Sequence, residues 1–252
     1  MIKPYQELAI NNYKLSNGRL EDTRKAVIKE HSLALIVNGE LWMTFICSPI
    51  QLKEQAVGFL FNEGIISGLE DIDSIQLAED LSSIEIRLKK SVEKPDSFHR
   101  TSTGIQPVQS EPNDEMVEPV SFPMQGLTKL YYEFTQKQEL HDLAGGFHSA
   151  GLSDGLSIPI IIEDLGRHNC VDKMAGALLL GNYDFLPTIM VISGRISSEM
   201  VMKSLAMGIR LIISRTTSTT MAIEMAEKHG ICLIGYMRAN QYEVYSHPDY
   251  LV

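Results

Sequence analysis

Cysteine is scarce: Cys47, Cys170 and Cys232 are the three in 252 residues, and their spacings are wide and unrelated. An odd count without a CxxC pair is no disulfide framework and offers no zinc or dithiol motif, which fits a reducing cytoplasm. No apolar run approaches the ~18 residues a membrane span needs. The opening Met1-Ile2-Lys3-Pro4-Tyr5-Gln6 holds no apolar signal region, so no membrane role is expected. Basic residues are in deficit, with 22 Lys and Arg against 32 Asp and Glu for a formal net charge of −10. A nucleic-acid face would have to be built against that field, whereas a small anion needs only a local pocket. Walker and GxGxxG fingerprints are missing too, which leaves ATPase and dehydrogenase readings without support.

What remains is an ordinary globular composition, 44% hydrophobic and 21% charged. Residues 1–93 read as a small α+β domain. Ala26 to Val37 is an extended apolar segment, Asn38-Gly39 a two-residue hairpin turn, and Glu40 to Cys47 the returning strand. Ser48 and Pro49 read as cap and first turn of a helix whose buried stripe is Leu52, Ala56, Phe59 and Leu60, stopped by Gly64. Ile72 to Leu77 and Ile84 to Leu88 read as strands. Residues 94–125 form a loop or linker: between Thr101 and Gln125 lie four prolines, four acidic residues and no basic one.

Residues 126–252 alternate. Helices are predicted over Leu127–Gln138, Val171–Leu180, Glu199–Met207 and Met221–Lys228. Strands are predicted over Phe147–Leu152, Ile158–Ile162, Ile189–Ser193, Leu211–Ser214, Ile231–Gly235 and Glu243–Ser246. Short apolar runs separated by helices of about ten residues indicate a layered, partly parallel α/β sheet, within a chain that is α+β overall. Met200, Met207, Met221 and Met225 fall at helical spacing and read as core filling.

Such sheets bind ligands beyond the carboxyl ends of their strands, where helix N-termini point outward. Three turns there each carry an arginine beside hydroxyl or amide groups: Ser193-Gly194-Arg195, Ser214-Arg215-Thr216-Thr217-Ser218-Thr219-Thr220, and Tyr236-Met237-Arg238-Ala239-Asn240-Gln241. One such turn is ordinary helix capping; three in succession point to a nucleotide-like anion. The densest polar cluster is Glu163-Asp164-Leu165-Gly166-Arg167-His168-Asn169, which either does acid–base work or grips a polar ligand, or else caps a helix through Asp164 with Arg167 and Asp172 paired on its surface. Gly145-Gly146-Phe147-His148 places a histidine in a strand after two glycines. His148 and His168 have no cysteine pair to complete a zinc site, so a deaminase reading lacks its metal and none is expected.

Asn38-Gly39, Gly58-Phe59-Leu60, Asn62-Glu63-Gly64-Ile65-Ile66, Gly145-Gly146-Phe147-His148-Ser149-Ala150, the block from Glu163 to Lys173, Ser193-Gly194-Arg195 and Leu233-Ile234-Gly235-Tyr236 occur in the order found in one family. From about Ala26 to Pro248 the chain resembles the FdhD family of formate dehydrogenase accessory sulfurtransferases. The resemblance implies a homodimer whose C-terminal domain has a cytidine-deaminase-like α/β fold. It implies that persulfide sulfur passes from a cysteine desulfurase to Mo-bis(molybdopterin guanine dinucleotide), or its tungsten counterpart, on behalf of a formate dehydrogenase apoprotein. GDP or GMP would mimic that client cofactor. The family's cofactor-binding stretch falls on Tyr236, Met237, Arg238, Ala239, Asn240 and Gln241. Gly194, Arg195, Arg215, Thr216, His148, Asp164, Arg167 and His168 are added on the physical argument.

One departure bears on the chemistry. The family's inter-domain loop carries Arg-Thr and then CGxC, whereas Arg100-Thr101-Ser102-Thr103-Gly104-Ile105-Gln106 puts Thr103 and Gln106 at the two cysteine positions. Neither side chain can hold a persulfide, which needs a thiolate sulfur. Cys170, beside the polar cluster, is the substitute candidate. The other reading is a non-catalytic cofactor-binding chaperone or regulator that has lost sulfur transfer.

Overall fold

Turn chemistry and strand pattern lay out a first sheet near the N-terminus of the computed structural model, which describes residues 2–16, 18–98, 120–181, 183, 185–239 and 241–252. β3 (His31–Val37) and β4 (Glu40–Cys47) pair antiparallel through Asn38 and Gly39, both at positive φ (52° and 85°), as a tight hairpin turn requires. β5 (Ile72–Leu77) and β6 (Ser83–Leu88) complete the order β4-β3-β6-β5, with β3 and β6 parallel. The expected Ala26–Val37 strand is two strands. Its first residues end β2 (Arg19–Ile28), which forms a separate two-stranded hairpin with β1 (Tyr5–Lys14).

Helix α1 (Leu52–Asn62) buries the expected Leu52, Ala56, Phe59 and Leu60. Its entry differs from expectation: the N-cap is Gln51, in left-handed conformation at φ 52°, and no side chain caps the helix. Ser48 turns elsewhere, its backbone N–H donating to Asp164 Oδ2 at 2.8 Å.

The second sheet has six strands in the order β12-β11-β10-β9-β7-β8. They are β7 (His148–Ser153), β8 (Ile160–Asp164), β9 (Ile189–Ile192), β10 (Leu211–Ser214), β11 (Cys232–Gly235) and β12 (Glu243–Ser246). β9, β10 and β11 are parallel, every residue in them is buried, and β7 and β12 run against them. Four-residue apolar strands covered on both faces are what parallel pairing demands. One face packs on α4 (Arg167–Leu180), α5 (Ser198–Ala206) and α6 (Thr220–His229) through Val171, Met174, Met200 and Ala222. The other packs on α2 (Met124–Gln136) through Leu127, Leu130 and Phe134. A short helix, α3 (Glu139–Ala144), follows where the sequence reading continued α2 to Gln138. The result is a mixed α/β protein, as the alternation predicted. Met200 is core as expected, but Met221 is 61% exposed in the first turn of α6.

Helix α4 begins a full turn before the predicted Val171, so His168, Asn169 and Cys170 are helical. It crosses α1 at near backbone contact. A Cβ on Gly58 would lie 1.8 Å from the Asp172 carbonyl oxygen, and one on Gly176 would lie 1.9 Å from that of Glu54. Glycine is obligatory at both positions, because nothing larger allows two helix backbones to approach so closely.

Candidate functional site

Because β8 runs with β9, β10 and β11, and β7 and β12 run against them, one edge of the sheet collects every turn that carries a candidate residue. His148 opens β7 there, Asp164 closes β8, and Arg167 opens α4. Ser193, Gly194 and Arg195 follow β9; Arg215 and Thr216 follow β10; Tyr236 to Gln241 join β11 to β12. Polar contacts knit the turns together. Ser214 Oγ donates to the Gly194 carbonyl at 2.6 Å, and the Met237 N–H donates to the Ser214 carbonyl at 3.0 Å. Arg238 Nη1 donates to the carbonyls of Arg215 and Met237, each at 2.9 Å, and the Arg238 N–H donates to the Gln241 carbonyl.

Glycine and strain make room at this edge. A Cβ on Gly235 would lie 2.7 Å from the Thr216 carbonyl oxygen, so only glycine lets the β10 and β11 turns meet. Tyr236 follows at φ 45°, a left-handed conformation costing about 1–3 kcal/mol in a residue with a side chain. Such strain gathers at functional sites, and it presents the Tyr236 ring to solvent.

Charge is the leading feature. Among the described residues, no carboxylate lies within ion-pair distance of the guanidinium of Arg167, Arg195, Arg215 or Arg238. The four lie along one edge of a chain carrying −10. Arg167 is pushed below the ordinary guanidinium value, first by burial and then by the charge of Arg195. His148 is held below the ordinary imidazole value by burial and next by Arg167. Tyr131 on α2, which the sequence reading did not single out, stands in the field of Arg215 and Arg238, although burial dominates and raises its phenol.

Other predicted residues face inward. Asp164 is 0% exposed, and both its oxygens are occupied. Oδ1 accepts from the Gly166 N–H (2.9 Å) and Asn169 Nδ2 (2.7 Å), and Oδ2 accepts from the Ser48 N–H (2.8 Å) and Lys173 Nζ (2.5 Å). Lys173 Nζ donates as well to the Ser48 carbonyl, and Asn169 Nδ2 to that of Ile46. The cluster therefore ties the first sheet to the second and presents no oxygen to a ligand. The surface pair of Arg167 with Asp172 is likewise absent: Asp172 is buried and takes Lys203 Nζ at 2.6 Å and Asn62 Nδ2 at 2.8 Å. His168 is buried and lies 3.2 Å from the partly buried Glu199. The Met237 side chain is in the core, so only its backbone belongs to the turn. Ala239 and Gln241 are exposed, and Thr216 Oγ1 pairs with Ser214 Oγ at 3.1 Å. Asn240, Thr103 and Gln106 lie outside the described residues.

The three cysteines are all buried. Cys170 is enclosed at the start of α4 with its thiol donating to the His148 carbonyl at 3.3 Å, and burial holds that thiol well above the usual range. Burial likewise pushes Cys232 up to about 12. Among the described residues no group of three or more His, Cys, Asp or Glu could hold a metal ion, and no helix is long and apolar enough to cross a membrane.

Three comparisons bear on this arrangement. The family model described as FdhD/NarQ family matches residues 28–252, which leaves almost all of the β1–β2 hairpin outside the match. The protein called "Sulfur carrier protein FdhD" of Staphylococcus aureus strain MRSA252 is 30% identical over 251 residues, covering 95% of this chain and 94% of its own. Its counterpart in strain Newman is 29% identical over 252 residues with the same coverage. A crystal structure from Desulfotalea psychrophila, described as a "putative formate dehydrogenase accessory protein", superposes with a TM-score of 0.79 over 99% of this chain and 100% of that one, at 23% identity. At that identity it supports the fold.

Proposed function

The chain belongs to the FdhD/NarQ family, and from that premise we propose that it is an accessory protein of formate dehydrogenase maturation that binds a guanine-dinucleotide pterin cofactor at the carboxyl edge of its six-stranded sheet. The client is Mo-bis(molybdopterin guanine dinucleotide) or its tungsten counterpart. The proposal extends to a homodimer working in the cytoplasm beside a cysteine desulfurase and the dehydrogenase apoprotein. One observation carries it: four arginines with no carboxylate in ion-pair distance among the described residues line one edge of an acidic protein. Fixed guanidinium forks bind diphosphate oxygens in pairs, and a site already built needs little reorganisation on binding. Arg215, Arg238 and the backbone of Tyr236–Ala239 would take the nucleotide end. The Tyr236 ring offers a face on which a base can stack.

Sulfur carriage is read differently. A persulfide carrier needs an accessible thiolate, and Cys47, Cys170 and Cys232 are buried, with the thiols of Cys170 and Cys232 held protonated. This favours the second reading from the sequence, in which the chain is a non-catalytic cofactor-binding chaperone or regulator that has lost sulfur transfer. The test has two arms. In calorimetry, GDP should bind well ahead of ADP, and Arg238→Ala should weaken GDP roughly ten- to a hundredfold, as expected for a lost charge-assisted contact. Equal, negligible binding of both nucleotides refutes the cofactor site. Incubation with a cysteine desulfurase and cysteine should leave all three cysteines unmodified by mass spectrometry, and one added sulfur atom on Cys170 would restore the carrier role.

A further inference from the structure

The arginine-lined edge divides into two halves. Arg215 and Arg238 stand together over β10 and β11, where Arg238 Nη1 reaches the Arg215 carbonyl. Arg167 and Arg195 stand at the other end, with His148 at the start of β7 beside them. Gly194 is the floor of this second group: a Cβ built there would lie 3.2 Å from Arg167 Cδ and 3.5 Å from His148 Nδ1. His148 Nδ1 lies 3.4 Å from Ser193 Oγ, whose other partner is the Ser149 N–H, donating to it at 2.9 Å. Arg167 Nε is buried and has no hydrogen-bond partner among the described residues, an incomplete arrangement for a cationic donor. Nothing in the Arg238 half of the edge explains this second gathering.

We propose that His148, Arg167 and Arg195, grouped over Gly194, form a second oxyanion pocket that takes a phosphoryl group of the same cofactor. The identity of that group rests on the cofactor reading above; the pocket itself does not. Arg167 and Arg195 repel one another when the pocket is empty, an effect that the Glu199 carboxylate on α5 opposes at Arg167, and a bound dianion between the two guanidiniums reverses the sign of their interaction. The imidazole feels the change as well. Its neighbours are Arg167 on α4, Asp164 at the end of β8, His141 on α3 and the Ser193 hydroxyl after β9. Empty, the site disfavours the imidazolium, because burial and Arg167 outweigh Asp164. Occupied, it gains a negative charge beside the ring, and the imidazolium becomes the favoured form. Anion binding and protonation of His148 therefore reinforce one another, and affinity rises as pH falls through the imidazole range.

Sulfate is the probe, because it stays a dianion where imidazole titrates. The His148 ring is followed by NMR from about pH 5 to 8, with and without sulfate. Sulfate should raise its titration midpoint by about one pH unit, a tenfold affinity gain for the protonated form. Arg195→Gln, on an exposed turn where folding is not at stake, should weaken sulfate several-fold, and Arg167→Gln should weaken it more. His148→Gln should bind sulfate with no pH dependence over that range. A His148 midpoint that ignores sulfate overturns the pocket, as does sulfate binding that is indifferent to both arginine changes. GDP then separates the sources of the anion. If it moves His148 as sulfate does, the phosphoryl assignment stands. If it binds without moving His148, that assignment falls while the cofactor reading survives. If GDP fails to bind at all while sulfate moves His148, the cofactor reading fails, and the phosphoryl assignment with it.

Discussion

Replacing Asp164 with asparagine removes one charge and almost no volume, so its effect measures the buried network and little else. The carboxylate receives four donors at 2.5–2.9 Å, from Ser48, Gly166, Asn169 and Lys173. An asparagine keeps one acceptor oxygen and turns an NH2 group toward donors that cannot accept. Lys173, itself 0% exposed, is left with the Ser48 carbonyl at 3.1 Å as its neutral partner. Leaving a buried ammonium uncompensated costs about 3–5 kcal/mol, a large share of the ~5–15 kcal/mol that holds a typical domain folded. For a chain of this size the melting temperature should fall by roughly 6–20 °C. Circular dichroism across a thermal ramp checks this, alongside urea titration at one temperature. Asp164→Leu combined with Lys173→Met should recover part of the loss, since an apolar pair replaces the charges. Recovery should stay incomplete, because the Ser48 and Gly166 N–H groups lose their acceptor at about 1–3 kcal/mol each, while Asn169 Nδ2 keeps the Ile46 carbonyl. Below its melting temperature Asp164→Asn should still bind GDP with wild-type affinity, because no Asp164 oxygen faces the edge. A melting temperature within a degree of wild type would refute the assignment of Asp164 as the link between the two sheets. Intact stability with lost GDP binding would return Asp164 to the ligand site.

Two further outcomes follow from packing and from the thiols. Gly176→Ala places a methyl 1.9 Å from the Glu54 carbonyl oxygen, so α1 and α4 must part; a loss of about 3 kcal/mol or more is expected in urea unfolding, and a shift below 1 kcal/mol would contradict the backbone contact. Native protein should resist alkylation at pH 8 and expose all three thiols only in denaturant, as counted by mass spectrometry. Because the folded-state Cys232 thiol sits near 12, above its unfolded value, the stability it contributes is complete below the ordinary cysteine range and is lost as pH climbs from there toward 12; rapid native labelling at pH 8 would refute the burial.

The arginine turns were legible because the parallel strands are four apolar residues long and their helices regular, so strand ends could be counted off the sequence. The role of the Glu163–Asn169 cluster was not. Polar density along a chain says nothing about exposure, and the residue that completes the cluster, Ser48, is 116 positions from Asp164. The same distance explains the misread cap of α1, since Ser48 serves the second sheet instead of its own helix. β1 and the start of β2 gave no signal because most of their residues are exposed, which leaves no alternation to read. Tyr131 came to the edge only through the packing of α2 on the sheet.

The block from Glu163 to Lys173 does two jobs that the helix period separates. Asp164, Asn169 and Lys173 converge on one another and on Ser48, which fixes where α4 begins and how it leans on α1 through Gly58 and Gly176. Arg167 opens the same helix but turns to the edge, over Gly194 and beside His148. A buried ion pair adds little net stability over an apolar one, so its value here is positional: a rigid internal anchor holds a cationic side chain where it would otherwise be repelled by Arg195. On this argument Lys173→Met, paired with Asp164→Leu, should damage ligand binding more at the Arg167 half of the edge than at the Arg238 half, even where stability recovers. Sulfate and GDP titrations of that double variant would reveal the difference, and equal losses at both halves would show that the anchor supports the fold alone.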